Sequence, residues 1–204
     1  MNRAIYIVDD DDAVRTSLQT LLSVQPDLSV RCFASGDAFL ALADTLAPGV
    51  LLLDFQMPGA SGLDVLDALA GRSGHFAPLI LSGQGNVKVA VKAMKGGAVD
   101  FLEKPYETEQ LLMALERSFA RLAADGEAVA RVRTAEAKIA RLSPREADVL
   151  RGLVEGRSNK VIAFDLDISP RRVEIYRANL MEKLEVRSLS EALRIAFASG
   201  TFPV

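Results

Sequence analysis

Four places in this 204-residue sequence set reactive side chains at the ends of short apolar runs. Asp9-Asp10-Asp11-Asp12 follows the run at 4–8. Asp54 closes Leu51-Leu52-Leu53-Asp54 and is followed by Phe55-Gln56-Met57-Pro58-Gly59. Ser82 ends Leu79-Ile80-Leu81-Ser82-Gly83, and Lys104-Pro105 follows Phe101-Leu102-Glu103. Carboxylates gathered at one point repel one another unless a hard cation sits among them, and oxygen-only ligands with open positions suit Mg²⁺. Such a metal neutralises charge on an incoming phosphoryl group, and the Lys104 ammonium can hold another of its oxygens. Asp54 is then the nucleophile that becomes an aspartyl-phosphate, and Ser82 can hydrogen-bond the new group and report it. Taken singly, an acid run opening a helix is only a good partner for the helix dipole, and an Asp before Met-Pro-Gly is only a turn former. Together the four segments point to phosphoryl transfer onto a carboxylate.

That chemistry requires the four segments to meet. Apolar runs of strand length recur at 4–8, 28–33, 50–53, 79–81 and 98–102, mostly continuous, as expected of strands covered on both faces. Between them Val14, Leu18, Leu21 and Leu22 share a helical face, as do Phe39, Leu40 and Ala43, and Val87, Val91 and Met94. Five strand–helix repeats predict a doubly wound, flavodoxin-like α/β domain with five parallel strands. Its functional crevice lies at the carboxyl ends of the strands, where all four segments fall.

Composition narrows the field. Half the residues are apolar and a quarter charged, a globular balance. No apolar run reaches the roughly 18 residues of a membrane helix, and the start has no signal-peptide core, so a cytoplasmic chain without membrane contact is expected. One cysteine, Cys32, and one histidine, His75, exclude a disulfide framework and a zinc finger. They also leave little room for a triad enzyme, since His75 falls in a Gly-Arg-Ser-Gly-His stretch expected as a loop. Residues 1–122 carry 10 Lys/Arg against 15 Asp/Glu, a net −5, whereas 123–204 carry 14 against 12, a net +2. The asymmetry suggests two modules with different partners.

The residues of the first half resemble the receiver domain of two-component response regulators, through Val8-Asp9-Asp10, Asp54-x-x-Met57-Pro58-Gly59, Ser82-Gly83 and Gly97-Ala98-Val99-Asp100-Phe101-Leu102-Glu103-Lys104-Pro105. The resemblance implies that Asp54 accepts phosphate from a sensor histidine kinase. It implies that Asp10, Asp54 and the main-chain carbonyl of Gln56 bind Mg²⁺, with Asp9 assisting directly or through water. It makes Ser82 and Phe101 a switch pair, the ring rotating inward as Ser82 moves to the phosphoryl group, and it implies a cis Lys104-Pro105 bond. Gln56 and Gln84 flank the phosphate position and are candidates for positioning the water of hydrolysis.

Two rivals fail on residues. A dinucleotide fold needs Gly-x-Gly-x-x-Gly after the first strand, but Gly83-Gln84-Gly85 follows the fourth run and Lys88 takes the third glycine's place. A phosphatase of the haloacid dehalogenase type needs a second Asp two residues after the nucleophile, where Gln56 stands.

Residues 1–122 are therefore expected to form the phosphoacceptor domain and 123–141 a helical linker. Asp125-Gly126 is a plausible interruption of that helix. Val129, Val132 and Ile139 lie at a/d spacing, but Glu136 breaks the pattern and one heptad is too short for a coiled coil.

Residues 142–204 read as an all-α, four-helix module. Ser143-Pro144-Arg145-Glu146 is a capping box with proline at the first helical position, Ser158 and Ser169-Pro170 are further starts, and Ser188-Leu189-Ser190-Glu191 is another capping box. Gly156 and Gly200 sit at helix ends. Helices are predicted near 144–155, 159–166, 170–185 and 189–198, with Val149, Leu153, Ile162, Leu166, Val173, Leu180, Leu184 and Leu193 in the core. Only Asp167-Ile168-Ser169 joins the second and third, which makes a helix-turn-helix. On the third helix Val173, Tyr176, Leu180 and Leu184 face inward, and Arg171, Glu174, Ile175 and Ala178 face out, flanked by Arg172 and Asn179. In a major groove, Lys160, Arg171 and Arg172 would meet phosphates and Glu174 would approach base edges. The bland alternative is a helical interaction module, kept open by a net charge of only +1 over 143–204.

This part resembles the LuxR-type helix-turn-helix, through Leu142-Ser143-Pro144-Arg145-Glu146, Ser158-Asn159-Lys160 and the stretch Ser169-Pro170-Arg171-Arg172-Val173-Glu174. With the receiver, the whole chain resembles FixJ-like regulators of the NarL/FixJ family. The resemblance carries base contact to Glu174, Ile175 and Ala178, with Arg177 beside them, and a DNA-bound dimer contact to Leu189 and Leu193 of the last helix. It implies a transcription regulator of double-stranded DNA that dimerises when phosphorylated and works with RNA polymerase. A phosphate sink with a protein-binding helical domain is the competing class; a free-standing enzyme is disfavoured, because the chain would catalyse only its own Mg²⁺-dependent phosphorylation and dephosphorylation.

Overall fold

The computed structural model describes residues 3–202 except Pro26, Ser73 and 84–86, with Val87 and Lys88 described by their backbone alone. Contacts divide the chain into two compact units, Met1–Glu127 and Ala128–Val204.

In the first unit β1 (Arg3–Val8), β2 (Leu28–Phe33), β3 (Gly49–Asp54), β4 (Phe76–Ser82) and β5 (Asp100–Glu103) form one sheet in the order β2-β1-β3-β4-β5. Every pairing is parallel. Successive residues of a strand point to opposite faces, and the two cores follow that alternation. Tyr6, Val8, Leu51, Leu53 and Ile80 enter one core, which also holds Phe33, Phe39, Val65 and Leu66. Ile5, Ile7, Val50, Leu52, Leu79 and Leu81 enter the other, with Leu18, Leu22, Leu111 and Leu115. The continuous apolar runs are thus the mark of strands with no solvent face.

The helices are α1 (Asp12–Ser23), α2 (Gly36–Leu40), α3 (Gly62–Ala68), α4 (Val87–Lys95) and α5 (Thr108–Ile139). Two of them, α2 and α4, depart from the expected apolar faces. α2 stops at Leu40 and Ala43 falls in a separate 3-10 turn, although Phe39 and Ala43 are both buried. On α4 the shared apolar face of Val91 and Met94 points to solvent, 46% and 49% exposed, and the small Ala93 is turned into the core instead. Periodicity shows that residues share a face, not which face is inward. His75 lies in the loop before β4, as expected, its ring nitrogen 2.9 Å from the Leu46 carbonyl.

The second unit holds α6 (Pro144–Val154), α7 (Asn159–Asp165), α8 (Pro170–Leu184) and α9 (Leu189–Ala198). All four serine caps are present, with Ser143, Ser158, Ser169 and Ser188 each accepting a main-chain N–H three residues on. The Ser143–Glu146 box is reciprocal. At the expected second box Ser188 Oγ accepts the Glu191 N–H, and the Glu191 carboxylate turns back on the main chain with its shortest bond to the N–H of Arg187, at 2.8 Å. Between α7 and α8 the Asp167 backbone is left-handed, at φ 52°, and Ile168 N–H closes on the Ala163 carbonyl at 2.9 Å. This tight reversal is what sets α8 directly after α7.

α5 runs without a break through Asp125 and Gly126, so the expected interruption is absent. One glycine costs a helix only about 1 kcal/mol, and helix-favouring neighbours with the Arg121–Asp125 pair at i,i+4 outweigh it. The end of α5, within the expected 123–141 linker, is packed rather than exposed. Ala135 and Ile139 are buried in the core that also holds Val149, Leu150, Val173 and Leu180. Among the described residues no helix is long and apolar enough to cross a membrane.

Candidate functional site

The carboxyl ends of β1, β3, β4 and β5 bring the four reactive segments together. Asp9 follows β1 with 2% of its surface exposed, and Asp54 closes β3 with 8%. Lys104 follows β5, and its Nζ donates to Asp54 Oδ1 at 2.6 Å and to Asp9 Oδ2 at 2.7 Å. The main chain locks this edge: Phe55 N–H bonds the Leu81 carbonyl, and Lys104 N–H bonds that of Ser82, at 2.7 Å. Ser82 is itself buried at the end of β4. Phe101 stands opposite Ile80 in the β4–β5 register and packs, partly buried, against the core that contains Phe39 and Leu53. The Lys104–Pro105 bond is cis.

The remaining acceptors of the acids are tied to backbone. Asp9 Oδ1 takes the N–H of Asp11 at 2.9 Å, and Asp54 Oδ2 takes that of Gln56 at 2.7 Å. Asp10 is exposed beside them. Burial pushes the Asp54 carboxyl above the usual carboxylate range, and the bonds from Lys104 and Gln56 offset this only in part. Burial alone would lower Lys104, but its bonds to Asp54 and Asp9 together hold it above the ordinary lysine value, so it is a full ammonium at neutral pH.

Among the described residues no group of three or more His, Cys, Asp or Glu side chains forms a ready metal cage. Mg²⁺ needs none, since it keeps several waters and takes one or two carboxylates. Asp9 and Asp54, two buried carboxylates sharing one ammonium, match that demand, with the exposed Asp10 adjoining.

Three residues that the sequence did not flag hold this edge in place. Arg15 Nη1 donates to the Asp9 carbonyl at 2.7 Å. The Asp37 carboxylate, at the start of α2, accepts the N–H of Ala60 at 3.0 Å and so restrains the loop after Asp54. Gly62, the first residue of α3, leaves no room for a side chain against the Asp54 main chain. Two of these contacts end on main-chain atoms a few residues away and the third joins positions 23 apart, and no residue-type spacing signals any of them. Gln84 lies outside the described residues.

In the second unit Val173, Leu180 and Leu184 of α8 are buried and Tyr176 partly so, whereas Arg171, Arg172, Glu174, Ile175, Ala178 and Asn179 are exposed along the other side. Lys160 is exposed on α7. Arg177 is only partly buried and is committed within the unit, Nη1 to Asn159 Oδ1 at 2.7 Å. On α9 Leu189 is exposed, and Leu193 packs partly against the unit's own core.

A parallel sheet with two buried acids and a lysine at its carboxyl edge, in a chain whose second unit holds a helix-turn-helix, defines a receiver together with a DNA-binding module. Residues 5–116 match the response regulator receiver domain, and 140–196 the bacterial regulatory proteins of the luxR family. The chain is 45% identical to the transcriptional regulatory protein FixJ of Bradyrhizobium diazoefficiens over 198 residues, 96% of this chain and 95% of that one. Among solved structures it is similar to the response regulator StyR (TM-score 0.80, 33% identity, 97% and 99% of the two chains) and to full-length FixJ from B. japonicum (TM-score 0.59, 42% identity, 100% of both). The chain belongs to the response regulators, as a FixJ-like member of the NarL/FixJ family, a phosphorylation-dependent transcription regulator.

Proposed function

We propose that Asp54 is the phosphoacceptor of this regulator and that a sensor histidine kinase is its donor. The observation that carries this is the Lys104 ammonium bridging Asp54 and Asp9 at 2.6 and 2.7 Å. A carboxylate oxygen of Asp54 attacks phosphorus as the bond to the donor nitrogen breaks. Burial raises its basicity and with it its nucleophilicity. Lys104 then turns an N–H toward a phosphoryl oxygen, and Ser82, buried beside it at the end of β4, donates its hydroxyl to another. Asp9, Asp10, Asp54 and the Gln56 carbonyl would hold Mg²⁺, which when bound neutralises charge on the transferring group.

Phe101 follows Ser82 inward and changes the receiver surface. Residues 1–122 serve as input, 123–141 as linker and 142–204 as output. The phosphorylated chain dimerises, with Leu189 and Leu193 in its DNA-bound contact, and sets two copies of α8 on half-sites about 34 Å apart or a multiple of that. There it works with RNA polymerase. Lys160, Arg171 and Arg172 meet phosphates, and Glu174, Ile175 and Ala178 approach base edges, with Arg177 next to them. Mobility shift of duplex DNA with and without acetyl phosphate and Mg²⁺ tests this. Donor-dependent binding is expected of the natural chain and not of Asp54→Asn; a variant that still responds to the donor would refute the assignment.

A further inference from the structure

We infer that Arg15 is a positioning residue for cation binding: its guanidinium fixes the peptide between Asp9 and Asp10 and so sets the aim of the acidic turn after β1. The inference rests on the cation site proposed above.

Arg15 belongs to the first turn of α1, and its side chain is only 15% exposed. Nη1 donates to the Asp9 carbonyl at 2.7 Å and Nη2 to Asp12 Oδ1 at 2.8 Å. A guanidinium is a rigid planar fork, so its Nη1 arm meets the Asp9 carbonyl at a fixed angle while the Nη2 arm rests on Asp12. Asp9 then has every acceptor engaged: the carbonyl by Arg15, Oδ1 by the N–H of Asp11, and Oδ2 by Lys104. Asp10 lies between two tied peptides, the one before it held through the Asp9 carbonyl and the one after it through the Asp11 N–H. Its own side chain is exposed and makes no ion pair among the described residues. The two peptide planes set the direction of its Cα–Cβ bond, and so the point from which its carboxylate reaches, and Arg15 holds one of them. The Asp12 end of the fork is 89% exposed and weakly held, so the main-chain contact is the one that matters.

Arg15 also carries charge, and the two roles have opposite signs. A nearby cation repels a metal ion, so deleting the charge alone would tighten Mg²⁺ binding. Losing the fork would loosen it, and groups that orient metal ligands typically change affinity by about 10- to 100-fold. Isothermal titration of the full-length chain with Mg²⁺ separates the two. Arg15→Lys keeps the charge without the fork, and Arg15→Met removes both. Each is expected to weaken binding roughly tenfold or more, and Asp12→Ala to weaken it far less. The half-saturating Mg²⁺ for acetyl-phosphate labelling rises in step, and the rate at saturating Mg²⁺ is retained. Urea midpoints taken without the cation separate this from loss of fold. Arg15→Lys binding as the natural chain does, or Arg15→Met binding more tightly, would overturn the inference. Asp10→Asn serves as the control on the site itself: unchanged Mg²⁺ binding in that variant would remove the cation site, and Arg15's role with it.

Discussion

Gly62 approaches Asp54 so closely that a Cβ on it would stand 2.5 Å from the Asp54 carbonyl oxygen and 3.0 Å from Phe55 Cα. Its own N–H donates to the Phe55 carbonyl at 3.1 Å, so α3 begins directly against the end of β3. The atoms in the way are backbone and cannot rotate aside. Gly62→Ala is therefore expected to destabilise the receiver by about 1–3 kcal/mol, the range for overpacking, and to slow labelling of Asp54 by displacing the strand end. Urea unfolding and acetyl-phosphate labelling check both effects. A variant as stable as the natural chain would mean that α3 can retreat freely.

Asp9, Asp54 and Lys104 set two carboxylates against one ammonium, whereas Asp54→Asn leaves a one-to-one pair. Without Mg²⁺ the variant is expected to be at least as stable as the natural chain near pH 7. The sign follows from Asp54's raised pKa: the folded state holds the proton longer than the unfolded one, so stability falls as pH rises through that interval. Asn removes that slope. Mg²⁺ reverses the order, since a ligand at a hundred times its Kd adds about 2.7 kcal/mol to the natural chain and less to the variant. Urea midpoints against pH, with and without Mg²⁺, decide it; equal Mg²⁺ stabilisation of both chains would contradict the assignment.

What the sequence disclosed was the part encoded locally. Continuous apolar runs ending in Asp9, Asp54, Ser82 and Lys104 located the strands and their shared edge, because a parallel sheet sends all its carboxyl ends one way. Serine caps did the same for α6 to α9, since a cap and its N–H partner lie within four residues. Arg15, Asp37 and Gly62 escaped notice because their partners belong to other elements or to the backbone. The outward turn of Val91 and Met94 escaped for a different reason: a helix with apolar residues on one face and alanine on another offers two inward faces, and packing chooses between them.

Glu146 joins the start of α6 to α8. Its Oε2 accepts from Lys183 Nζ at 2.6 Å and from the Ser143 N–H at 2.8 Å, and the residue is buried. Burial works to raise its pKa, but the bonds from Lys183 and Ser143 prevail and hold it below the usual value. Its contribution is thus present above the ordinary glutamate pKa of about 4.3 and is lost as pH falls through the lower folded value. Glu146→Gln should cost about 1–2 kcal/mol at neutral pH and flatten the acid limb of stability. Urea midpoints stepped down from pH 7 to about pH 2 read this; an unchanged acid limb in the variant would place the sensitivity elsewhere.

The exposed side of α8 separates residues that grip from residues that read. Arg172 is exposed, and a phosphate contact is its expected role. Arg172→Ala should weaken binding to all sequences alike and reduce the slope of log affinity against log salt by about 1. Glu174 can accept from cytosine N4 and releases no counterion. Glu174→Ala should change base preference at one position and leave the slope alone. Arg177 differs from both because its guanidinium is held by Asn159, tying α8 to the start of α7. Arg177→Ala is expected to lower affinity for every sequence with little loss of slope, through misplacement of α8. Binding titrations over a range of salt, on a randomised duplex and its selected sites, distinguish the three patterns. A full unit of slope lost in Arg177→Ala would show that the guanidinium leaves Asn159 for a phosphate when DNA binds.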